Sequence, residues 1–156
     1  MERKEPAEFC LKGKVIAIVY DEFGNIKQRV ENPNTVVTIG KGAIGQKVCN
    51  PGSSITTAAR FIHIGTGVGA PAITDTSLFG WVAFVSADYV QPGGVNDVSW
   101  QLVATFGASV PNANVTLTES AVQFTSGNSQ CFSRQTFGVT KNTPDILTII
   151  WQYSVN

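Results

Sequence analysis

Apolar and polar side chains alternate in short runs along most of this chain, and turn-forming residues separate the runs. In ILTIIWQY (146–153), Leu147, Ile149, Trp151 and Tyr153 fall on one side. In DVSWQLVATF (97–106), Val98, Trp100, Leu102, Ala104 and Phe106 do the same, opposite Ser99, Gln101, Val103 and Thr105. A period of two is that of a β-strand with one face buried. Seven more strands are predicted: KVIAIVY (14–20), IKQRV (26–30), TVVTI (35–39), RFIHIG (60–65), FGWVAFVS (79–86), VTLTESAVQF (115–124, irregular near Ser120) and QCFSRQTF (130–137). Turns are expected at Asp21–Asn25, 88–96 with Pro92-Gly93-Gly94, Pro111–Asn114 and Ser126-Gly127-Asn128, and Asn32-Pro33-Asn34 is expected to break the chain.

One short helix is predicted, from Gly40 to Cys49, with Ala43, Ile44, Lys47 and Val48 at helical spacing. Gly42 and Gly45 weaken it by up to about 1 kcal/mol each. Without crossover helices a parallel sheet cannot be wired. The expected fold is therefore all-β: an antiparallel β-sandwich, jelly-roll-like or barrel-like. It forms a single domain over residues 13–156, behind an extended polar N-terminal arm at 1–12.

Charge narrows the possible partners. Eleven basic residues balance eleven acidic ones over 156 residues, and charged residues make up 14% of the chain, against roughly 25% in ordinary globular domains. Twelve of these charges lie between Met1 and Glu31, and only ten are spread over the remainder. Nucleic acid and anionic membranes both attract a basic surplus, so neither is an expected partner. A sparsely charged, neutral body lacks the repulsion that keeps copies apart, and self-association is expected. The opening MERKEPAEFC has no apolar secretory core and no apolar run is long enough to span a bilayer. Cys10, Cys49 and Cys131 match neither a disulfide framework nor a zinc site, so they are expected to be idle thiols.

Catalysis lacks parts. His63 is the one histidine, and alternation sets it opposite Ile62 and Ile64; it reads as a polar-face or interface residue rather than a general base. Acidic residues after position 31 are isolated singles, which suits neither metal ligation nor glycoside chemistry. The run Gly65-Thr66-Gly67-Val68-Gly69-Ala70-Pro71 lacks the lysine and the following helix of a phosphate loop. It reads as a surface loop needing unusual backbone angles. Asn114-Val115-Thr116 matches a glycan acceptor only by chance. No catalytic residue, cofactor or metal is expected.

A family resemblance emerges from the order of several motifs. Asn34-Thr35-Val36-Val37-Thr38-Ile39-Gly40-Lys41 is followed by His63-Ile64-Gly65-Thr66-Gly67, then Asp75-Thr76-Ser77-Leu78. Ala104-Thr105-Phe106, Thr118-Glu119, Arg134-Gln135-Thr136-Phe137 and Asp145-Ile146-Leu147-Thr148-Ile149-Ile150-Trp151 come later. Over roughly residues 15–153 the chain resembles a group of small tailed-bacteriophage virion structural proteins. Where that group places an acidic residue after the Leu, this chain has Phe79-Gly80-Trp81.

The resemblance implies a non-enzymatic virion subunit assembled in the host cytoplasm, without placing it in head, neck or tail; a sparsely charged β-sandwich with a polar arm suits a capsid decoration protein first of all. Its partners would be the major capsid protein and its own copies, with a trimer the expected form. A neck or tail component (collar or fibre attachment) is the alternative within the structural class. Outside that class, the alternative is a receptor- or glycan-binding module, with Trp81, Tyr89, Trp100 or Trp151 as sugar-stacking candidates. The expected contact residues are Arg3, Lys4 and Phe9 of the arm, together with Arg60, Gly65, Thr66, Gly67, Asp75, Glu119 and Arg134. Arg60, Glu119 and Arg134 are scarce charges that should be paired, because an unpaired buried charge is costly.

Overall fold

A computed structural model describes residues 10–50, 58–94 and 98–155. In chain order its elements are β1 (Leu11–Tyr20), β2 (Ile26–Pro33), β3 (Thr35–Val36), α1 (Thr38–Cys49), β4 (Phe61–Gly65) and β5 (Trp81–Ser86). They continue with β6 (Asp88–Val90), β7 (Ser99–Phe106), β8 (Val115–Gln123), β9 (Cys131–Lys141) and β10 (Ile146–Val155). Two five-stranded antiparallel sheets result, as expected for a β-sandwich. Sheet A has the order β2-β1-β10-β7-β6 and sheet B the order β3-β9-β8-β4-β5.

The core between the sheets is built by the predicted alternation. Sheet A contributes Val15, Ala17 and Val19, then Leu102, Ala104 and Phe106, then Leu147, Ile149, Trp151 and Tyr153. Sheet B faces them with Ile62, Ile64, Leu117, Val122, Phe132 and Val139. Burying each large aliphatic or aromatic side chain is worth about 1.5–3 kcal/mol. The two polar tips in this core find partners: the Trp151 indole donates to Ser120 Oγ at 3.3 Å, and Tyr153 Oη bonds Ser133 Oγ.

Sheet A and sheet B are joined along one side by side chains of β2. Gln28 reaches the Thr140 carbonyl at 2.8 Å and Asn32 the Thr136 carbonyl at 2.7 Å. Gln135 answers from β9 to the Pro33 carbonyl. On the opposite side the chain passes from β5 to β6 through Ala87, whose N–H donates to the Arg60 carbonyl at 2.7 Å.

Four expectations need correction. The run 35–39 is a strand only through Val36. Val37 N donates to the Phe132 carbonyl and Thr38 N to the Ile73 carbonyl, which turns the chain so that α1 begins at Thr38 despite the β-branched residues there. Gly40 then lies against Phe132, where an added Cβ would stand 2.9 Å from its carbonyl carbon. Second, 88–96 is not all turn, since Asp88–Val90 pairs with β7 as an edge strand. Third, Leu11 and Lys12 belong to β1, paired with Val155 and Ser154, and not to an arm. Fourth, the strand expected from Phe79 begins only at Trp81, because Phe79 N and Gly80 N are taken by Glu119. Arg3, Lys4 and Phe9 lie outside the described residues.

Candidate functional site

The residues singled out for chemistry converge on the outer face of sheet B. Ile62 and Ile64 point into the intersheet core, so alternation sends His63 and Gly65 outward. Register then lines up Gly65 with Glu119 and His63 with Ala121 across β4 and β8. Across β8 and β9 it lines up Ala121 with Arg134. This outer face is roofed by the loop of residues 66–80. Beneath the roof lie a small apolar cluster of Val37, Leu78, Ala121 and Cys131 and a buried set of charges.

Arg134 is the centre of that set. Its side chain is fully covered and donates four hydrogen bonds: Nε and Nη2 to Glu119 Oε2 (3.0 and 2.7 Å), Nη1 to Asp75 Oδ2 (2.9 Å) and Nη2 to the Gly69 carbonyl (2.8 Å). The Phe79 ring lies over the guanidinium, with its centroid 4.2 Å from Cζ. Glu119 is as crowded. Besides Arg134 it accepts the backbone N–H of Gly67 (3.0 Å), Phe79 (3.2 Å) and Gly80 (2.6 Å). Asp75 accepts from Ala72 N at 2.9 Å. Burying charges this deeply is tolerable only because their donors and acceptors are so fully used.

The glycines of the 65–71 run are explained by this packing and not by unusual backbone angles. Among the described residues only Gly24 and Gly94 have positive φ. A Cβ on Gly65 would stand 2.6 Å from the Gly80 carbonyl oxygen and 2.7 Å from Glu119 Oε1. One on Gly67 would stand 2.8 Å from the Glu119 Cδ and from Phe79 Cβ. Close approach of backbone to a carboxylate is the constraint.

His63 lies on the face expected of it and is fully buried by its own chain. The Trp81 indole N–H donates to Nδ1 at 2.9 Å, so that nitrogen is an acceptor. The proton is therefore on Nε2, 3.1 Å from the Thr125 carbonyl. Phe84 stacks on the ring at 5.2 Å. Burial holds the imidazole below its ordinary pKa, opposed in part by the Thr125 carbonyl. The Cys131 thiol is pushed up to about 12, by burial first and the Asp75 carboxylate next. Both groups are thus kept neutral and their polar atoms are engaged within the fold.

Of the expected contact residues, Gly65, Gly67, Asp75, Glu119 and Arg134 come together here, and Thr66 sits exposed at the loop's start. Glu119 and Arg134 are paired, as their scarcity suggested. Arg60 is not: its side chain is exposed and has no ion pair among the described residues, because its strand begins only at Phe61. Sequence reading missed Asn128, whose amide bonds both Leu78 N (2.8 Å) and Leu78 O (3.0 Å) and accepts from Gln123 (2.7 Å). Its place in a tight turn was the available signal, and its reach to residue 78 was not. Of the aromatic candidates for sugar stacking, Trp151 is fully buried and Trp100 half-buried, while Trp81 and Tyr89 are exposed.

Among the described residues no cluster of three His, Cys, Asp or Glu could hold a metal ion, and no helix is long and apolar enough to cross a membrane. No family model, curated protein or solved structure matches the chain.

Proposed function

We propose that this chain is a non-enzymatic structural subunit of a tailed-bacteriophage virion, a capsid decoration protein that binds the shell and its own copies. The observation that carries the reading is where the motifs of the resemblance meet. The stretch holding His63, Gly65, Gly67, Asp75 and Leu78 is distant in sequence from Glu119 and Arg134, yet all lie in or beneath one roof on the outer face of sheet B. On this reading the motifs of the resemblance serve to hold a loop on a sheet. Glu119 and Asp75 are consumed in that device, and His63 and Cys131 are buried beside it, which favours a scaffold role over a reactive one for this face.

The shell would be met by surfaces the roof presents or leaves open. Val68, Ile73 and Phe79 are 85%, 58% and 60% exposed on the loop, and apolar surface buried against capsomers is worth about 25 cal/mol per Å². Mass spectrometry of purified virions, with heads and tails separated, tests the reading. The chain is expected in the head fraction. Recovery with necks or tails selects the collar or fibre-attachment role instead, and absence from all particle fractions refutes a virion role.

A further inference from the structure

Four strands edge the two sheets, and three of them are guarded. β2 carries Lys27, Arg29 and Glu31, ends at Pro33 and is tied across to β9. β3 has two residues, and β6 has three including Asp88. β5 differs. It is six residues long, and no charge or proline occurs anywhere from Thr76 to Ala87. It pairs with β4 on one side. On the other, no turn or loop among the described residues bonds the backbone of residues 82–86. A long, apolar, uncharged edge is a template for adding a strand, and proteins that do not use one protect it.

We infer that β5 binds β5 of a second copy, antiparallel about a two-fold axis, joining the two B sheets into one continuous sheet. The pattern of the strand is self-complementary. Ala83 and Val85 pack toward the intersheet core, while Trp81 and Phe84 face outward with His63. Residues directly opposite in a ladder share a face. A two-fold through Phe84 therefore sets Phe84 against Phe84 of the second copy and Ala83 against Val85, so that both faces match. A charged strand would lay its charges against Trp81 and Phe84, whereas an identical strand brings none. The chain's net charge of zero adds no long-range repulsion between copies.

Area sets the strength. Phe79, Trp81 and Phe84 are 60%, 47% and 37% exposed, which at aromatic side-chain sizes is roughly 300 Å² per copy. Doubled across the axis, this is below the ~1,200 Å² at which stable interfaces begin. The dimer is accordingly concentration-dependent. A two-fold contact also builds even-numbered assemblies, unlike the trimer expected from the sequence. The pairing does not depend on the virion reading, because it forms in free solution.

Sedimentation equilibrium of the full chain over rising concentration tests it. A growing dimer fraction is expected, weakened by at least about tenfold in Kd by Phe84→Lys. Ser86→Lys, at an exposed position of the same strand, keeps the test if Phe84→Lys fails to fold. In a Cys10→Ser, Cys49→Ser background, Phe84→Cys should form a cross-linked dimer with a short bis-maleimide. A monomer at every concentration, or an oligomer indifferent to the lysine substitutions, overturns the inference. Particle incorporation is read separately, so a solution monomer found in virions refutes the β5 pairing alone.

Discussion

Arg134 donates twice to a single oxygen of Glu119, from Nε at 3.0 Å and Nη2 at 2.7 Å. The two residues sit on neighbouring strands, and neither side chain touches solvent. The other oxygen of that carboxylate is left for the loop, where it takes Gly67 N and Gly80 N. One ion pair thus fastens both ends of the 66–80 roof to sheet B, and Asp75 fastens its middle.

Arg134→Ala is expected to destabilise the fold by about 3–5 kcal/mol, since it strands two buried carboxylates. Arg134→Lys should rescue little of this. A lysine cannot reproduce the planar fork that reaches Glu119, Asp75 and Gly69 together. Urea denaturation followed by tryptophan fluorescence measures both, and an unchanged midpoint for Arg134→Ala would remove the knot from the stability account.

Glycine-to-alanine changes should split by location. Gly67→Ala forces Glu119 or Phe79 to move and is expected to cost about 1–3 kcal/mol. Gly42→Ala, in α1 with nothing within 4 Å of the new Cβ, should stabilise by about 0.4–1 kcal/mol. Melting temperatures of the two variants, shifting in opposite directions, check the assignment of the loop glycines to close packing.

His63 should make stability fall with acid. Its folded pKa lies below the ordinary value of 6.5, so the unfolded chain binds the proton first. The contribution is present above pH 6.5 and is lost as pH falls through and below that value. The difference in stability between wild type and His63→Gln isolates it. As the sole histidine, its imidazole nitrogens can also be followed by NMR, which should show the Nε2–H tautomer and a titration depressed relative to the unfolded chain. Trp81→Phe, which frees Nδ1, should move that titration back toward ordinary values.

Thiol reactivity should separate the cysteines. Cys10 and Cys49 are exposed and Cys131 is buried. A thiol-reactive dye is expected to label the first two in the native protein and Cys131 only after unfolding, since burial and the thiol's raised pKa both deny it the reactive thiolate. Rapid native labelling of Cys131 would contradict the closed roof.

What could be read in advance follows from the range of the forces involved. Alternation is local, so β10 is legible down to the residues that enter the core, and β7 from Leu102 to Phe106, whereas Val98, expected on the same face, lies outside the strand and is 63% exposed. The scarcity of charge beyond residue 31 flagged Glu119 and Arg134 as partners. The same signal misled at Arg60, because scarcity says nothing of burial. The early start of α1 depends on Phe132 and Ile73 drawing Val37 and Thr38 out of the strand, contacts that no window around residue 37 contains. Asp75 joining Arg134, and Asn128 clasping Leu78, are long-range in the same way: each needs the sheet in place before its partner is near.

Because the amides of Gly67 and Gly80 are both claimed by one carboxylate, the stretch between them has a fixed span. Adding or removing a residue there would pull one of those amides off its acceptor, so natural variation in this segment should proceed by replacing side chains at constant length. That makes it a surface on which chemistry can drift while shape is inherited.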